Sequence, residues 1–310
     1  MLTATQKKTA EALVNLFETG EVLGDYGQVT LIAGDTGHLT FGRSQTTLGS
    51  GNLNELIQRY CANSGARFGS RLSSYLPRFV ARDLKLDKEL KLHNLLCASA
   101  DDNVMRDTQD VFFDETYWQP AAKTAERLKI TSPLGVAVVY DSFVHGSWKL
   151  IRTRTTQQVG DISSVSEQKW IAAYIAIRRA WLAENTRADL RATVYRMDTF
   201  QRLIDQGYWG LELPLVVRGQ EISSASLSAT PGGCYDGSQP GTRSLALQSP
   251  LQRGLDVRLL QLGLSDRGVD IKADGVFGQT SQKLIKEYQL TQGLPVTGVA
   301  DVTLIAKLVA

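Results

Sequence analysis

The sequence predicts a mainly α-helical fold with a small β-hairpin and a separate helical part at the C-terminus. Three observations support this prediction. Apolar residues recur at helical spacing through most of residues 1–220. Between residues 27 and 48 the composition changes to β-branched residues and closely spaced glycines, which is typical of a hairpin. Residues 221–249 are crowded with Ser, Thr, Gly and Pro and have no apolar periodicity, as expected of a linker.

The first helix is predicted from Ala10, Leu13, Val14 and Phe17, which form one apolar stripe that ends just before Glu18. Two later helices, over 133–150 and 165–184, carry apolar residues around the whole axis, so we expect them at the centre of the core. The first of these begins with Ser132 as N-cap and Pro133 at the first helical position. The remaining helices of the large part are predicted over 52–63, 85–97, 103–112, 114–129 and 192–206, and three short helices are predicted within 250–310.

Length and composition predict a folded protein of two domains. The chain has 310 residues, with 34 Lys and Arg against 32 Asp and Glu. We divide it into a large domain over 1–220, a Ser/Gly-rich linker over 221–249 and a small domain over 250–310. The charge balance points to no nucleic-acid partner and no membrane surface. No stretch reaches the length of about 18 apolar residues that a membrane span needs.

The three cysteines, Cys61, Cys97 and Cys234, are odd in number and form no CxxC pair. They therefore indicate neither a disulfide framework nor a zinc site, although a bridge between Cys61 and Cys97 is left open. No cofactor or metal is predicted. The first residues lack the order of a secretory signal, so we expect either a mature or trimmed chain or another route of export.

Two carboxylates are placed where they could act on a glycosidic bond. Glu18 ends the first helix at a Thr-Gly break, and Asp35 lies in the turn sequence Gly34-Asp35-Thr36-Gly37. Inverting hydrolysis needs a carboxylic acid and a carboxylate on opposite faces of the sugar, about 6.5–9.5 Å apart. A helix end facing a hairpin would provide that gap. Taken alone, the same residues also fit a solvated helix-end charge and a turn former.

Several separated motifs resemble those of glycoside hydrolase family 46, the chitosanases, across most of residues 5–215. The motifs, in chain order, are Glu18, Gly34-Asp35-x4-Thr40-x-Gly42, Gly49-Ser50-Gly51-Asn52, Tyr140-Asp141-Ser142, Arg179 and Arg196-x-Asp198-Thr199-x-Gln201-Arg202. The resemblance implies a two-lobed, lysozyme-like α+β catalytic domain. It also implies that Glu18 is the general acid, that Asp35 is the general base and that Thr40 helps to hold the attacking water.

The resemblance further implies a buried ion network of Asp141, Arg179 and Arg196 that supports the acid, with Arg178 as an alternative to Arg179. Such a network also makes physical sense from the residues alone. An arginine at the end of an apolar helix needs a counter-ion, because an uncompensated buried charge costs several kcal/mol. Asp141 lies on the other buried helix and is the natural partner. An ordinary fold-stabilising salt bridge is the alternative interpretation.

The predicted substrate-binding residues are Tyr26, Arg43 and Asn52. Tyr26 could stack on a sugar ring, and Arg43 could face an anionic or acetamido group or simply solvent. Family members typically carry an aspartate at the position of Asn52, where it meets the ammonium of a glucosamine unit. An amide brings no charge to that contact, so the preference for free glucosamine is expected to be weaker.

The last 60 residues resemble the small peptidoglycan-binding domain of bacterial wall hydrolases. The resemblance lies in Asp274-Gly275-x-Phe277-Gly278-x-Thr280, Gly293-Leu294 and Thr297-Gly298. A helical cap that packs on the catalytic domain is the alternative. A binding domain on a flexible linker would raise the local concentration of the enzyme at a polymer.

The sequence therefore predicts an inverting endo-acting hydrolase of β-1,4-linked amino-sugar glycan. The wall-binding domain, Asn52 and the balanced charge rank peptidoglycan, as for a lysozyme-like muramidase, above chitosan. The alternatives are a chitosanase, a non-catalytic wall-binding protein and an effector delivered into a competitor's periplasm. We expect a bacterial, extracellular or periplasmic monomer at the cell wall, with a polysaccharide as partner and neither nucleic acid nor membrane.

Overall fold

The computed structural model describes residues 2–31, 36–43 and 45–309. The fold is mainly helical, as predicted. Its α-helices are α1 (Ala4–Glu18), α2 (Asn52–Cys61), α3 (Gly69–Ser73), α4 (Leu76–Val80), α5 (Leu90–Ser99), α6 (Asn103–Phe113), α7 (Gln119–Arg127), α8 (Pro133–Val144), α9 (Trp148–Val159), α10 (Glu167–Ala183), α11 (Ala188–Arg191), α12 (Tyr195–Asp205), α13 (Leu255–Asp266), α14 (Gln279–Thr291) and α15 (Val302–Val309). Short 3₁₀ helices span Leu84–Lys88, Ile162–Ser164 and Ser226–Ser228, and a π-helical turn spans Asp114–Trp118. The strands are β1 (Val29–Thr30), β2 (Thr40–Phe41), β3 (Thr46–Thr47), β4 (Leu215–Val217) and β5 (Gln220–Ile222).

The chain forms two compact units, each assembled from two separate segments. The first unit contains Met1–Gly24 and Phe113–Ala229, and the second contains Asp25–Phe112 and Thr230–Ala310. This division differs from the boundaries at 220 and 250 that composition predicts, because the N-terminal helix joins the middle of the chain and the C-terminal residues join the segment that follows Gly24.

The core of the first unit is built on α1, α8 and α10. Thr3 caps α1 in a capping box with Gln6, and the predicted apolar stripe of this helix is buried against α8. Ser132 caps α8 as predicted, accepting a hydrogen bond from the backbone N–H of Gly135. Every residue of α8 from Leu134 to Ser142 is buried, which explains why its apolar residues surround the axis.

The single helix predicted over 133–150 is two helices, α8 and α9. The break lies at Gly146 and Ser147, whose φ angles are +93° and +74°. An α-helix cannot continue through two residues in the left-handed region, so the chain turns here. The break places the end of α8 and the residues after it beside α10, where they take part in the candidate site described below.

The second unit contains a small antiparallel sheet in the order β1-β2-β3. Val29 pairs with Phe41, and Thr40 pairs with Thr47. The predicted hairpin over 27–48 is thus a three-stranded sheet. Asp35 lies outside the described residues, so its prediction as general base receives no structural account.

The C-terminal helices pack directly on α5 within the second unit. Asn94 of α5 donates hydrogen bonds to Ser265 Oγ at 3.0 Å and to the carbonyl of Ile271 at 2.7 Å. Leu262 of α13 and Ala273 belong to the same hydrophobic cluster as Leu92 of α5. The C-terminal part is therefore in close contact with α5 within the second unit.

The residues predicted as a linker are partly built into the two units. Leu227 and Cys234 are less than a tenth exposed, and Leu245 is fully buried. Leu245 also pairs with Ala300 through two backbone hydrogen bonds, of 2.8 and 2.9 Å. Ser and Gly give the segment its polar composition, but its few apolar side chains anchor it.

The cysteines Cys61, Cys97 and Cys234 are all free thiols, so the bridge left open between Cys61 and Cys97 is not formed. Among the described residues, no helix is both long and apolar enough to cross a membrane. No group of three or more His, Cys, Asp and Glu side chains in that part of the chain is arranged to hold a metal ion.

Candidate active site

Glu18 is the last residue of α1, and its side chain is 30% exposed. Its carboxylate oxygen Oε1 accepts a hydrogen bond from Nη2 of Arg196. The hydroxyl of Tyr195 donates to the carbonyl of Phe17 at 2.7 Å and so ties the end of α1 to α12. Burial and then the charge of Glu18 raise the pKa of Tyr117. Glu18 is thus a partly exposed carboxylate held at a fixed helix end.

Asp141 of α8 lies between two arginines. It accepts a hydrogen bond from Nη1 of Arg178 at 2.6 Å and another from Nη1 of Arg196. Asp141 and Arg178 are fully buried, and the Arg196 side chain is 2% exposed. Burial alone would raise the pKa of Asp141, but Arg196 and Arg178 outweigh it and hold this pKa below its usual value. The continuous chain Glu18, Arg196, Asp141 and Arg178 therefore alternates in charge and sums to zero.

The arginine of α10 that joins this network is Arg178, the alternative, and not Arg179. Arg179 is half exposed and pairs through Nε with Asp198 Oδ1 at 2.5 Å. The two neighbours point about 100° apart around the helix axis. Arg178 follows Tyr174 on the buried face, four residues on, whereas Arg179 falls on the flank towards α12.

Ser142 and His145 are part of the same cluster, although the sequence analysis gave neither a role. Ser142 Oγ accepts a hydrogen bond from Arg178 Nη1 at 2.9 Å, and His145 Nδ1 lies 3.2 Å from Arg178 Nη2. Burial and the charge of Arg196 lower the pKa of His145 to about 4. His145 is therefore neutral at pH 7 and accepts from Arg178. Its position four residues after Asp141, at the C-cap of α8, was the available signal.

We expect acid to destabilise the first unit through His145. The folded pKa of about 4 lies below the usual 6.5, so between these values the unfolded chain binds the proton more readily. The stability that the neutral ring contributes is complete above pH 6.5 and is lost as the pH falls towards 4. His145→Asn keeps an acceptor for Arg178 but cannot take up a proton, so it should lose less stability between about pH 7 and about pH 4.5.

Urea unfolding followed by tryptophan fluorescence measures this difference, since all five tryptophans of the chain lie in the first unit. His38 and His93 belong to the second unit, so His145 is the histidine that this signal reports. An equal loss of stability in the two proteins would contradict the assignment.

Thr40 lies in β2 of the second unit and is 5% exposed. Its hydroxyl donates to the carbonyl of His38 at 3.0 Å. The ring of His38 in turn is held by Asp87, with Nδ1 and Oδ2 2.9 Å apart. The side chain predicted to hold water is thus fixed at the sheet.

Tyr26 and Arg43 have partners inside the second unit. The Tyr26 hydroxyl donates to Asp110 Oδ1 at 2.6 Å, and Arg43 forms an ion pair with the same oxygen. Tyr26 is only 6% exposed as a residue, so its ring does not offer the open face that sugar stacking requires. The Arg43 side chain is 6% exposed, which excludes the solvent-facing alternative. An arginine this deeply buried needs a carboxylate, and Asp110 supplies it.

Asn52 is the first residue of α2 and is partly exposed. The preceding Gly51 has φ of +89°, a conformation that favours glycine. Close by, the guanidinium of Arg82 donates to the carbonyl of Ser50 at 3.4 Å. The surroundings of Asn52 therefore include the positive charge of Arg82.

Comparison with known proteins agrees with the motifs. Residues 12–215 match the family model of glycosyl hydrolase family 46, and residues 253–308 match a model for a peptidoglycan binding domain. A chitosanase of Bacillus subtilis (strain 168) is 29% identical in an alignment over 241 residues that covers 72% of this chain and 85% of that protein.

Solved structures give the same result. A mutant chitosanase from Bacillus subtilis MY002, complexed with 6 GlcN, has a TM-score of 0.60 at 26% identity. The match covers 70% of this chain and 96% of that protein. The GH46 chitosanase of Gynuella sunshinyii, in complex with chitotetraose, has a TM-score of 0.62 at 25% identity. The match covers 73% of this chain and 99% of that protein. The chain belongs to glycosyl hydrolase family 46 and is a glycoside hydrolase that carries a C-terminal peptidoglycan-binding domain.

Proposed function

We propose that the protein is an inverting endo-chitosanase in which Glu18 is the general acid. The observation that carries this proposal is the charge-alternating chain of Glu18, Arg196, Asp141 and Arg178 in a member of family 46. The relatives named above are chitosanases, two of them solved with glucosamine oligomers or chitotetraose. This favours chitosan over peptidoglycan and reverses the ranking drawn from the sequence.

The ion network supports the proposed role of Glu18. In the reaction, the protonated carboxyl of Glu18 would give its proton to the glycosidic oxygen, while the Asp35 carboxylate would take a proton from water held by Thr40. Arg196 holds the carboxyl group of Glu18 in place through its hydrogen bond to Oε1. Asp141 shares the charge of Arg196, so that Glu18 is oriented without facing an uncompensated cation.

Peptidoglycan hydrolysis is the second candidate, and the match of residues 253–308 favours it. The amide of Asn52 and the nearby Arg82 point the same way, because neither attracts the ammonium of glucosamine. We propose that the C-terminal domain places the enzyme at the bacterial cell wall, outside the cytoplasm, whichever glycan it cleaves.

Product analysis decides between the two substrates. The purified chain is incubated separately with chitosan and with peptidoglycan sacculi, and the soluble products are identified by mass spectrometry. We expect glucosamine oligomers from chitosan, and the α-anomer at the new reducing end, since inversion of a β-linkage gives it. Muropeptides without glucosamine oligomers would overturn the proposal in favour of the second candidate. If neither kind of product were released, both candidates would be overturned.

A further inference from the structure

A groove lies in the first unit, between α9 and α10. Its volume is about 490 Å³, within the range of small-ligand sites. Its lining includes Arg154 and Gln158 of α9, Ile177 and Trp181 of α10, and Glu184 and Asn185, which follow α10. None of the residues that line the groove belongs to the ion network around Asp141.

Trp181 provides a flat face in this groove. Its side chain is only partly buried, at the edge of the core of the first unit. Its indole N–H has no hydrogen-bond partner among the described residues. An indole with one buried side and one accessible side suits an amphipathic ligand, and tryptophan is the best of the aromatic residues at attracting an ammonium group.

Glu184 and Arg154 supply charge beside the indole. Both residues are exposed, and neither makes a salt bridge or a side-chain hydrogen bond with any described residue. Their neighbours Arg187 and Asp189 pair with each other instead. Glu184 is therefore a carboxylate without a cation, which fits the ammonium of an amino sugar. Amide groups of Gln158 and Asn185 are suited to hydroxyl groups of the same ring.

We propose that this groove is a second, non-catalytic binding site for a glucosamine-containing chain. The indole of Trp181 would lie against the ring, and Glu184 would accept from its ammonium. A polymer held here and in the catalytic site at once would dissociate more slowly than from either site alone. The choice of glycan rests on the proposed chitosanase function, whereas the site itself can be tested by binding.

The binding test uses the full chain carrying Glu18→Gln and labelled with 5-fluorotryptophan. Five ¹⁹F signals are expected, and the signal of Trp181 is assigned by its loss in Trp181→Phe. Titration with a glucosamine hexamer should shift the Trp181 signal to saturation, while the signal of Trp209 serves as the control. An unchanged Trp181 signal would overturn the proposal.

Variants of the flanking charges then test the recognition. Glu184→Gln should weaken hexamer binding at this site about fivefold, and Arg154→Gln should strengthen it about twofold by removing a like charge. An N-acetylglucosamine hexamer, which has no ammonium, should bind at least about tenfold more weakly. Equal binding of the two hexamers would overturn the recognition of the ammonium group.

Activity gives an independent reading in the otherwise native chain. Trp181→Ala should lower the rate on insoluble chitosan about fivefold and leave the rate on a short soluble oligomer within about twofold. A uniform loss on both would overturn the separation of the two sites. Absence of hydrolysis by the native chain would instead refute the proposed function, and the ¹⁹F titration would still report on the groove.

Discussion

Glu18→Gln is expected to lower kcat for chitosan hydrolysis about 10³-fold, within the 10²–10⁴-fold range that general acid catalysis contributes. Glutamine has nearly the same shape as glutamate, and its amide oxygen can still accept the hydrogen bond from Arg196 Nη2. The substitution therefore removes the proton that the leaving oxygen needs while it preserves the helix end. The measurement is kcat from reducing ends released under saturating chitosan, with KM determined in parallel.

Glu21→Gln is the matched control. Glu21 is an exposed carboxylate three residues beyond Glu18, and it makes no salt bridge with a described residue. We expect its kcat to stay within about twofold of the native value. If Glu18→Gln kept more than a tenth of the native kcat, Glu18 would not be the general acid. A rise in KM at constant kcat would assign it to substrate binding instead.

The helices of the first unit were predictable because their signals are local. The stripe of Ala10, Leu13, Val14 and Phe17 and the cap at Ser132 each involve residues within one or two turns of a helix. The division of the helix predicted over 133–150 was not found, because Ser147 in a left-handed conformation leaves no mark in composition. Gly146 before it was the one local signal.

The candidate site was predictable in its residue types and only partly in its contacts. The need for a counter-ion led from the arginines of α10 to Asp141, and the structure contains that pairing. The choice between Arg178 and Arg179 required the phase of the helix to within one residue, which a helix with apolar residues on all sides does not provide. The partner of Arg43 was not predictable for a related reason, since Asp110 lies far away in the sequence.

The contact between the C-terminal helices and α5 could not be predicted from composition. A Ser- and Gly-rich stretch predicts a flexible connection. The contacts that hold the C-terminal helices on α5 join residues that are far apart in the sequence, so no local pattern reveals them. Arg258 of α13 forms an ion pair with Asp101 at 2.9 Å, and the two side chains are 2% and 0% exposed. Its guanidinium also donates to the carbonyls of Ala273 and Gly233.

Removal of the ion pair between Arg258 and Asp101 is expected to have a large effect on stability. Arg258→Met should lower the free energy of unfolding of the second unit by about 3–5 kcal/mol, because it leaves the carboxylate of Asp101 buried without its ion-pair partner. Urea unfolding followed by far-UV circular dichroism measures the loss. Hydrogen exchange of peptides from α5 and α13 locates it, since the second unit contains no tryptophan. Arg253→Met, an exposed arginine of the same domain, is the control and should change stability by less than about 0.5 kcal/mol.

The pH dependence of the variant tests the mechanism of this loss. Burial, opposed by the charge of Arg258, raises the pKa of Asp101 to about 6. Without Arg258 this pKa rises further, while in the unfolded chain it stays near 3.8. The folded form then binds the proton more readily, so stability is greatest at low pH and is lost as the pH rises through the folded pKa.

Arg258→Met should therefore regain more stability than the Arg253→Met control when the pH is lowered from about 7.5 to about 5.5, because Asp101 of the control keeps a pKa of about 6. Adding Asp101→Asn should restore stability at the higher pH, because the amide still accepts from the backbone N–H of Tyr235, as Asp101 Oδ1 does at 2.8 Å, and carries no charge. A loss below about 1 kcal/mol without pH dependence would mean that the C-terminal domain depends little on this pair, as expected of a domain on a flexible tether.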